Sequence, residues 1–327
     1  MATPDAAATG PAATEPGAVE PVGTGPAGAP GSRRTAVLPL AAAMVTVVLW
    51  ASAFVAIRHV GREITAGAMS LGRLLVAAAV LGAVVLLRGR AGPGAPAEAW
   101  PDRRTWPGLL VCGVMWFGLY NVALNEGERR VDAGTAAMLI NVGPVLIAVF
   151  AGWLLGEGFP RRLLAGGAVA FAGVAIIGAA VAPGGGADRW GVLLCLVAAV
   201  AYAIGVVSQK PLLRRLSALR VTWLACLIGA AACLPFAPAL LRDLGDAGAG
   251  TIWWLAYLGV FPTALAFTTW AYALARTSAG RLGATTYLVP PIAVLLGWVF
   301  LGEAPPPLAF AGGALCLAGV YVARRGN

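Results

Sequence analysis

The sequence predicts an all-α, polytopic membrane protein, and three observations favour that class. Of the 327 residues, 59% are hydrophobic and only 11% are charged, whereas soluble domains are about 25% charged. Uncharged stretches such as Ala36 to Ile57 are long enough to cross a bilayer, whose core needs about 20 apolar residues. Lys and Arg gather in the short segments between such stretches. A soluble core cannot bury this much apolar surface, so we expect an integral membrane protein.

Ten transmembrane helices are predicted from the glycines, prolines and charges that separate the apolar stretches. They cover residues 36–57, 67–87, 106–125, 132–155, 163–181, 190–209, 219–241, 251–275, 279–301 and 307–323. The start of the chain is rich in Ala, Gly, Pro and Thr without periodicity, which predicts a disordered cytoplasmic tail over residues 1–35. Residues 324–327 form a second short cytoplasmic tail.

The positive-inside rule orients these helices, because cytoplasmic loops carry the excess of Lys and Arg. With both termini inside, the predicted outer loops hold few of the 23 basic residues, namely Arg58, Arg62, Arg129, Arg130, Arg189 and Arg242. The predicted inner segments hold all the others except Arg73, which lies within a span. This asymmetry favours ten helices with the N- and C-termini in the cytoplasm.

Several classes of function are disfavoured by what the sequence lacks. The net charge of +9 is spread over short loops, whereas nucleic-acid binding needs a basic face on a folded surface. The five cysteines show no CxxC spacing, and His59 is the only histidine, so neither a metal site nor a cofactor is expected. No phosphate-binding loop of the GxxxxGK[ST] type occurs. We therefore predict neither nucleic-acid binding nor enzymatic activity.

The chain contains an internal repeat, offset by 146 residues. NVGPVLIAVFAGWLLGE at 141–157 corresponds to YLVPPIAVLLGWVFLGE at 287–303, and the match pairs Pro144 with Pro290 and Glu157 with Glu303. At a slightly larger offset, Trp50 to Arg58 matches Tyr202 to Lys210. Five helices per half is an odd number, so the second half enters the membrane from the opposite side. The sequence predicts two inverted five-helix repeats over residues 36–185 and 186–323, with a central cavity between them.

The paired prolines are predicted to break their helices at membrane depth. Pro144 and Pro290 each free a backbone carbonyl four residues earlier, and Pro291 directly follows Pro290. In a bilayer only protein or water can satisfy such a carbonyl. Polar side chains cluster on the same turns: Asn141 in one half, and Thr285, Thr286 and Tyr287 in the other. These turns either line the cavity or form packing kinks that neighbouring helices satisfy.

These features together resemble the drug/metabolite transporter superfamily, and specifically its EamA-type carriers. The resemblance is carried by LWASAFVAIR at 49–58, by Arg73 in SLGRLLVAA and by the Pro-to-LLGE helix in the first half with its LGE counterpart in the second. It implies ten helices with both termini inside, a central cavity, and commonly the export of small metabolites or drugs. The second half has no arginine that matches Arg73, so any role of Arg73 is asymmetric.

Candidate substrate-binding residues follow from polarity at membrane depth. Arg73 binds a substrate carboxylate, forms a structural ion pair or snorkels to the interface. Asn121 and Asn125 lie one turn apart on one helix face, and they either bind a ligand or bond a neighbouring helix. The remaining cavity candidates are Trp50, Ser52, Asn141, Tyr202, Trp270, Thr285, Thr286 and Tyr287.

Three glutamates lie near the ends of predicted helices. Glu126 is a candidate for accepting a proton or a cationic substrate group, with a solvated surface residue as the alternative. Glu157 and Glu303 are predicted to cap the next helix or to pair with cations such as Arg161 and Arg162. None of the three has a predicted metal or catalytic role.

The leading functional prediction is a secondary transporter in the cytoplasmic membrane that exports small metabolites such as amino acids, or drugs, by alternating access. Its partners would be a small solute and membrane lipid, with a proton gradient or solute exchange as energy source, in a monomer or a homodimer. A sensor or scaffold that keeps the carrier fold without transporting is the alternative. An intramembrane enzyme is disfavoured, because no convergent catalytic set occurs at membrane depth.

Overall fold

A computed structural model describes residues 30–89, 100–130, 139–181, 188–301 and 307–324. Every regular element in these ranges is helical. The helices are α1 (Pro30–Val60), α2 (Ala66–Gly89), α3 (Trp106–Glu128), α4 (Gly143–Leu154), α5 (Arg161–Val181), α6 (Arg189–Leu212), α7 (Ala218–Ala232), α8 (Ala237–Asp246), α9 (Ala249–Leu274), α10 (residues 279–301) and α11 (Pro307–Arg324). The predicted tail residues 1–29 and 325–327, and Glu303, lie outside the described residues.

Six of these helices are long and apolar enough to cross a membrane: α1, α2, α3, α6, α9 and α10. The bent pair of α7 and α8 makes a seventh if it forms one span, and α4 and α11 contain shorter apolar stretches. The outward surface is apolar too, since Trp153 and Trp253 are each 77% exposed. The chain is therefore an integral membrane protein, while the number of ten spans and the inverted arrangement stay predictions.

Two predicted spans are broken, and the break beside Pro144 is the one that the sequence predicted. The predicted helix 219–241 is bent by 55° between α7 and the segment that follows, because Pro235 and Pro238 lack the N–H groups that a continuous helix needs. The predicted helix 132–155 is interrupted at Asn141 and Val142, and α4 begins only at Gly143 with Pro144 in its first turn. Proline is favoured in the first turn because the N–H groups there have no partner within the helix. Residues 132–138 lie outside the described residues.

Helices α3 and α9 share one irregularity with each other. Each helix is interrupted by seven residues of π-helix, Gly113–Leu119 in α3 and Gly259–Leu265 in α9. These two segments are offset by the same 146 residues that relate the repeated sequences. Single π-helical turns within α-helices are rare and frequently occur at functional sites.

Helices α5 and α11 pack closely through glycines. A Cβ atom at Gly166 would lie 2.4 Å from the backbone N of Ala323, and one at Gly173 would lie 2.5 Å from the carbonyl O of Gly312. A Cβ atom at Gly319 would likewise lie 2.4 Å from the N of Ala170. Small residues at such crossings let helix backbones approach one another within a membrane.

The first helix of each half packs mainly against the other half. Helix α1 packs against α9 and α10, whereas α6 packs against α3 and α4. Each half therefore packs around the first helix of the other half. The buried residues between them are the walls of the candidate site.

Polar contacts join the two halves where α4 ends and α10 begins. Glu157 accepts hydrogen bonds from the N–H groups of Ala279 (2.8 Å) and Gly280 (3.2 Å), while the hydroxyl of Ser278 accepts one from Arg281 N (3.3 Å). Three of the N–H groups that a helix start leaves without intrahelical partners are thus satisfied. Glu157 does cap a helix, but the capped helix is α10 in the other half and not the next one in sequence.

A second set of contacts joins the halves through the loop after α1. Asp243 accepts hydrogen bonds from the backbone N and the hydroxyl of Thr65, at 2.9 and 2.8 Å. The carboxylate of Glu63 accepts one from Gly248 N at 2.7 Å, and this bond lowers the pKa of Glu63 below its ordinary value. The halves are therefore bonded to one another at two separate places.

The glycine contact predicts a strict size limit at Gly166 that its neighbour Gly167 does not share. We expect Gly166→Ala to lower the free energy of unfolding by about 1–3 kcal/mol, because the new methyl group collides with backbone atoms that cannot move aside. A Cβ atom at Gly167 meets nothing within 4 Å, so Gly167→Ala serves as the control. Thermal unfolding of the detergent-solubilised variants measures the difference, and equal stabilities would contradict the packing argument.

The contact at Glu157 predicts that this carboxylate of the first half stabilises the start of α10 in the second half. We expect Glu157→Ala to lower the free energy of unfolding by about 1–2 kcal/mol, since it leaves two N–H groups of α10 without their acceptor. Glu157→Gln keeps one acceptor oxygen and should fall between the wild type and the alanine variant. Thermal unfolding is again the measurement, and an unchanged midpoint for Glu157→Ala would refute the capping role.

Candidate functional site: a cavity between the two halves

A cavity of about 70 Å³ lies between the two halves, lined by α1, α2, α3, α6 and α9 together with the turns that contain the prolines. Its polar wall consists of Arg73, Tyr120, Asn121, Glu128, Asn141, Tyr202 and Thr286, and its apolar wall includes Trp50, Phe54, Pro144 and Phe267. Small-molecule sites commonly combine such apolar walls with a few well-placed polar groups.

Arg73 brings a cation to the cavity wall. Its side chain is buried, and its Nε donates a hydrogen bond to the hydroxyl of Thr263 at 2.9 Å. Thr263 belongs to the π-helical segment of α9, and its own hydroxyl donates to the carbonyl of Leu258. The Nε bond fixes the plane of the guanidinium, whose two terminal nitrogens have the fork geometry that suits a carboxylate. Burial disfavours snorkelling to the membrane interface, while binding of a substrate carboxylate and a structural role both stay predictions.

Helix α3 presents polar side chains toward the centre. Asn121 lies on the cavity wall, and its amide donates to the carbonyl of Phe117 at 2.9 Å within its own helix. Asn125 bonds the hydroxyl of Ser70 on α2 at 3.0 Å and lines a second, outer pocket of about 190 Å³. The two amides thus take different positions: one faces the central cavity, and the other links two helices beside it.

Aromatic rings form the apolar floor of the site. Trp50 lies within 5.0–6.3 Å of the rings of Trp116, Tyr202, Phe267 and Trp270, measured between ring centroids. Such edge-to-face and tilted contacts stabilise a rigid aromatic cluster. Trp270 and Trp116 are fully buried within it and support the rings that reach the cavity.

Two helix irregularities meet at the cavity: the break before Pro144 and, before Pro290, one turn of 3-10 helix at Thr286–Leu288 within α10. Ile140, Asn141 and Pro144 line it from the first half, and Thr286 and Val289 line it from the second. Ile140 and Thr286 are the residues whose carbonyls the prolines free, four positions before Pro144 and Pro290. The breaks therefore lie beside a cavity that can hold water or a ligand, as membrane depth requires.

Other candidate residues lie away from the cavity wall. Ser52 bonds the hydroxyl of Tyr257 at 2.7 Å, and the hydroxyl of Thr285 bonds the carbonyl of Leu282 at 2.6 Å. Tyr287 is buried in a separate apolar cluster that includes Cys316. Pro290 and Pro291 begin the second part of α10 without lining the cavity. Their positions indicate structural contacts.

The carboxylate on the cavity wall is Glu128, which sequence reasoning missed. Glu126, the glutamate singled out there, pairs instead with Arg130 at 2.9 Å in an exposed contact. Glu128 lies seven residues after Asn121 and three after Asn125, so helical periodicity places all three on one face. That spacing was the signal that could have identified it.

The described residues contain no cluster of three or more His, Cys, Asp or Glu side chains that could hold a metal ion. Their chemistry is that of recognition: a cation, a carboxylate, amides, hydroxyls and aromatic rings around one small cavity.

Comparisons with known proteins relate the chain to membrane transporters. The EamA-like transporter family matches residues 38–179 and 189–325. A "Probable terminal-alkyne amino-acid exporter" of Streptantibioticus cattleyicolor is 40% identical over 284 residues, which cover 87% of this chain and 92% of that protein. An "Uncharacterized transporter" of Archaeoglobus fulgidus is 28% identical over 86% of this chain and 96% of its own length.

A solved crystal structure has a similar fold, with a TM-score of 0.71 over 89% of this chain and 97% of that one, at 22% identity. At that identity the likeness concerns the fold alone. The family match covers most of the chain, and the 40% identical relative agrees with it. This chain belongs to the EamA-like transporter family, whose members carry small molecules across membranes.

Proposed function

We propose that this protein is a secondary carrier that exports a small amino acid, or a closely related metabolite, across the cytoplasmic membrane. The observation that carries the proposal is the central cavity, which places one buried arginine beside amides, hydroxyls and aromatic rings. Arg73 suits a substrate carboxylate, and Trp50, Phe54 and Phe267 suit an apolar side chain. The relative named as an amino-acid exporter supports the same substrate class.

We further propose alternating access between two inverted five-helix repeats. The two family matches, at 38–179 and 189–325, support this division into halves. So do the equivalent π-helical segments and the reciprocal glycine contacts of α5 with α11. Rocking of one half against the other would open the cavity to each side in turn. A proton gradient or solute exchange would supply the energy.

Counterflow into proteoliposomes tests the carrier function. We expect vesicles that contain the purified protein and unlabelled L-propargylglycine, an amino acid with a terminal alkyne, to accumulate the isotopically labelled compound transiently. Vesicles without protein should accumulate none. Failure with this compound and with a panel of natural amino acids and drugs would favour the alternative, a sensor or scaffold on the carrier fold.

Arg73 provides the sharpest test within that assay. We expect Arg73→Ala to reduce counterflow by at least about tenfold, because a charge-assisted hydrogen bond to the substrate is lost, while folded protein is obtained in normal amounts. Arg242→Ala is the matched control, since the Arg242 side chain is 70% exposed. Wild-type counterflow from Arg73→Ala would remove Arg73 from the site.

A further inference from the structure

We propose that Glu128 and Asn125 form an ammonium-binding subsite at the predicted outer end of the cavity. The site would then take a zwitterion whose carboxylate lies at Arg73. This inference rests on the proposed transport function and narrows its substrate to α-amino acids with a free amino group. It goes beyond Arg73, which alone would accept any small carboxylate.

The position of Glu128 between two cavities is the first argument. Its side chain lines both the central cavity and the outer pocket, which Asn125, Arg58, Arg62 and Arg129 also line. Glu128 therefore lies at the boundary between the two cavities. A side chain at such a boundary is well placed to select what passes.

Unpaired acceptors give the second argument. Oε1 of Glu128 and Oδ1 of Asn125 are both buried, and neither has a hydrogen-bond partner among the described residues. The amide nitrogen of Asn125 is already used, since it donates to Ser70. Buried polar atoms almost always have a partner in a folded protein, and two unpaired acceptors on adjacent turns call for a donor. An ammonium group carries three N–H donors and no acceptor.

The charges around the cavity give the third argument. Arg58 from α1 and Arg73 from α2 both interact electrostatically with Glu128, and Arg62 and Arg129 add positive charge to the outer pocket. The other titratable groups near Glu128, those of Tyr120 and Cys195, are a phenol and a thiol. A zwitterion adds no net charge to this set, whereas a simple amine would add a cation among arginines. These charges therefore disfavour a simple amine, and the acceptors of Glu128 and Asn125 are what would distinguish a zwitterion from a simple carboxylate.

Arg73 and Glu128 are free to bind separate groups of one ligand. Among the described contacts no ion pair joins them directly, and the Nε of Arg73 is held by Thr263. A ligand carboxylate at the terminal nitrogens of Arg73 and an ammonium at Glu128 would complete both sets of bonds. The apolar side chain of the ligand would then lie against the aromatic wall.

Three matched probes test the subsite: L-propargylglycine, its des-amino analogue pent-4-ynoate and its decarboxylated analogue but-3-yn-1-amine. Calorimetric titration of the full chain in lipid nanodiscs should give at least about tenfold tighter binding of the amino acid than of either analogue. Glu128→Gln, which keeps the shape of the side chain, should weaken the amino acid by about 10- to 100-fold. The affinity for pent-4-ynoate should change by less than about threefold, since that probe has no ammonium.

Two further variants keep the test decisive. Glu126→Gln removes a carboxylate two residues away that pairs with Arg130 at the surface, and it should retain the wild-type preference. Asn125→Leu removes the second acceptor and should reduce the preference for the amino acid, so the proposal stays testable if Glu128→Gln does not fold.

Four results would overturn the subsite. The first is a wild-type protein that binds the amino acid and pent-4-ynoate alike, or that binds none of the probes, and the second is equal weakening of both probes by Glu128→Gln. The third is an unchanged preference in both Glu128→Gln and Asn125→Leu, and the fourth is loss of the preference in Glu126→Gln. Counterflow separates these from a failure of the carrier function. A protein that transports amino acids yet shows any of the four results is a carrier without this subsite. A protein that discriminates the probes as expected but shows no counterflow keeps the subsite and loses the transport function.

Discussion

Polar groups buried within a bilayer must find their partners inside the protein, and this constraint determines the centre of the molecule. The guanidinium of Arg73 is held by Thr263, whose hydroxyl lies in a π-helical segment that displaces the regular bonding of α9. The backbone breaks before Pro144 and Pro290 meet at the same cavity. A continuous apolar core would leave all of these groups unsatisfied. The cavity is the arrangement that lets helices with broken backbones and a buried charge exist at membrane depth.

Contacts between the halves come in equivalent pairs. Gly166 approaches the backbone around Gly319 and Ala323, and Gly173 approaches the backbone around Gly312 and Cys316. The 146-residue offset converts each contact into the other, as the proposed inverted repeat requires. The side chains that line the cavity do not follow this relation, because Arg73 has no arginine counterpart in the second half. The helix packing is thus repeated while the lining of the cavity is not. A nearly symmetric arrangement of helices can therefore hold an asymmetric cavity.

How much of this could be predicted from sequence depends on the range of the interaction. The helical class and the membrane location follow from composition, and the family follows from motifs such as the repeated LGE. The break at Asn141 was predicted, and the bend before Ala237 was equally within reach, because proline acts on its own helix. The partner of Glu157 was not: its acceptor oxygens bond α10, more than a hundred residues away. The same holds for Thr263 as the partner of Arg73, since no local pattern identifies which distant helix lies opposite.

The two ends of the repeat differ in chemistry. Lys210 donates to the carbonyls of Leu274 and Thr277 at the end of α9, a contact with main-chain atoms. The equivalent cation, Arg58, faces Glu128 at the end of α3; Glu128 and Leu274 are related by the repeat offset. The acceptors at the Lys210 end are neutral main-chain carbonyls, whereas the acceptor at the Glu128 end is a side-chain carboxylate. At the other end, the proposed subsite would place a substrate ammonium beside the same carboxylate that Arg58 faces, so the two cations would share one acceptor group.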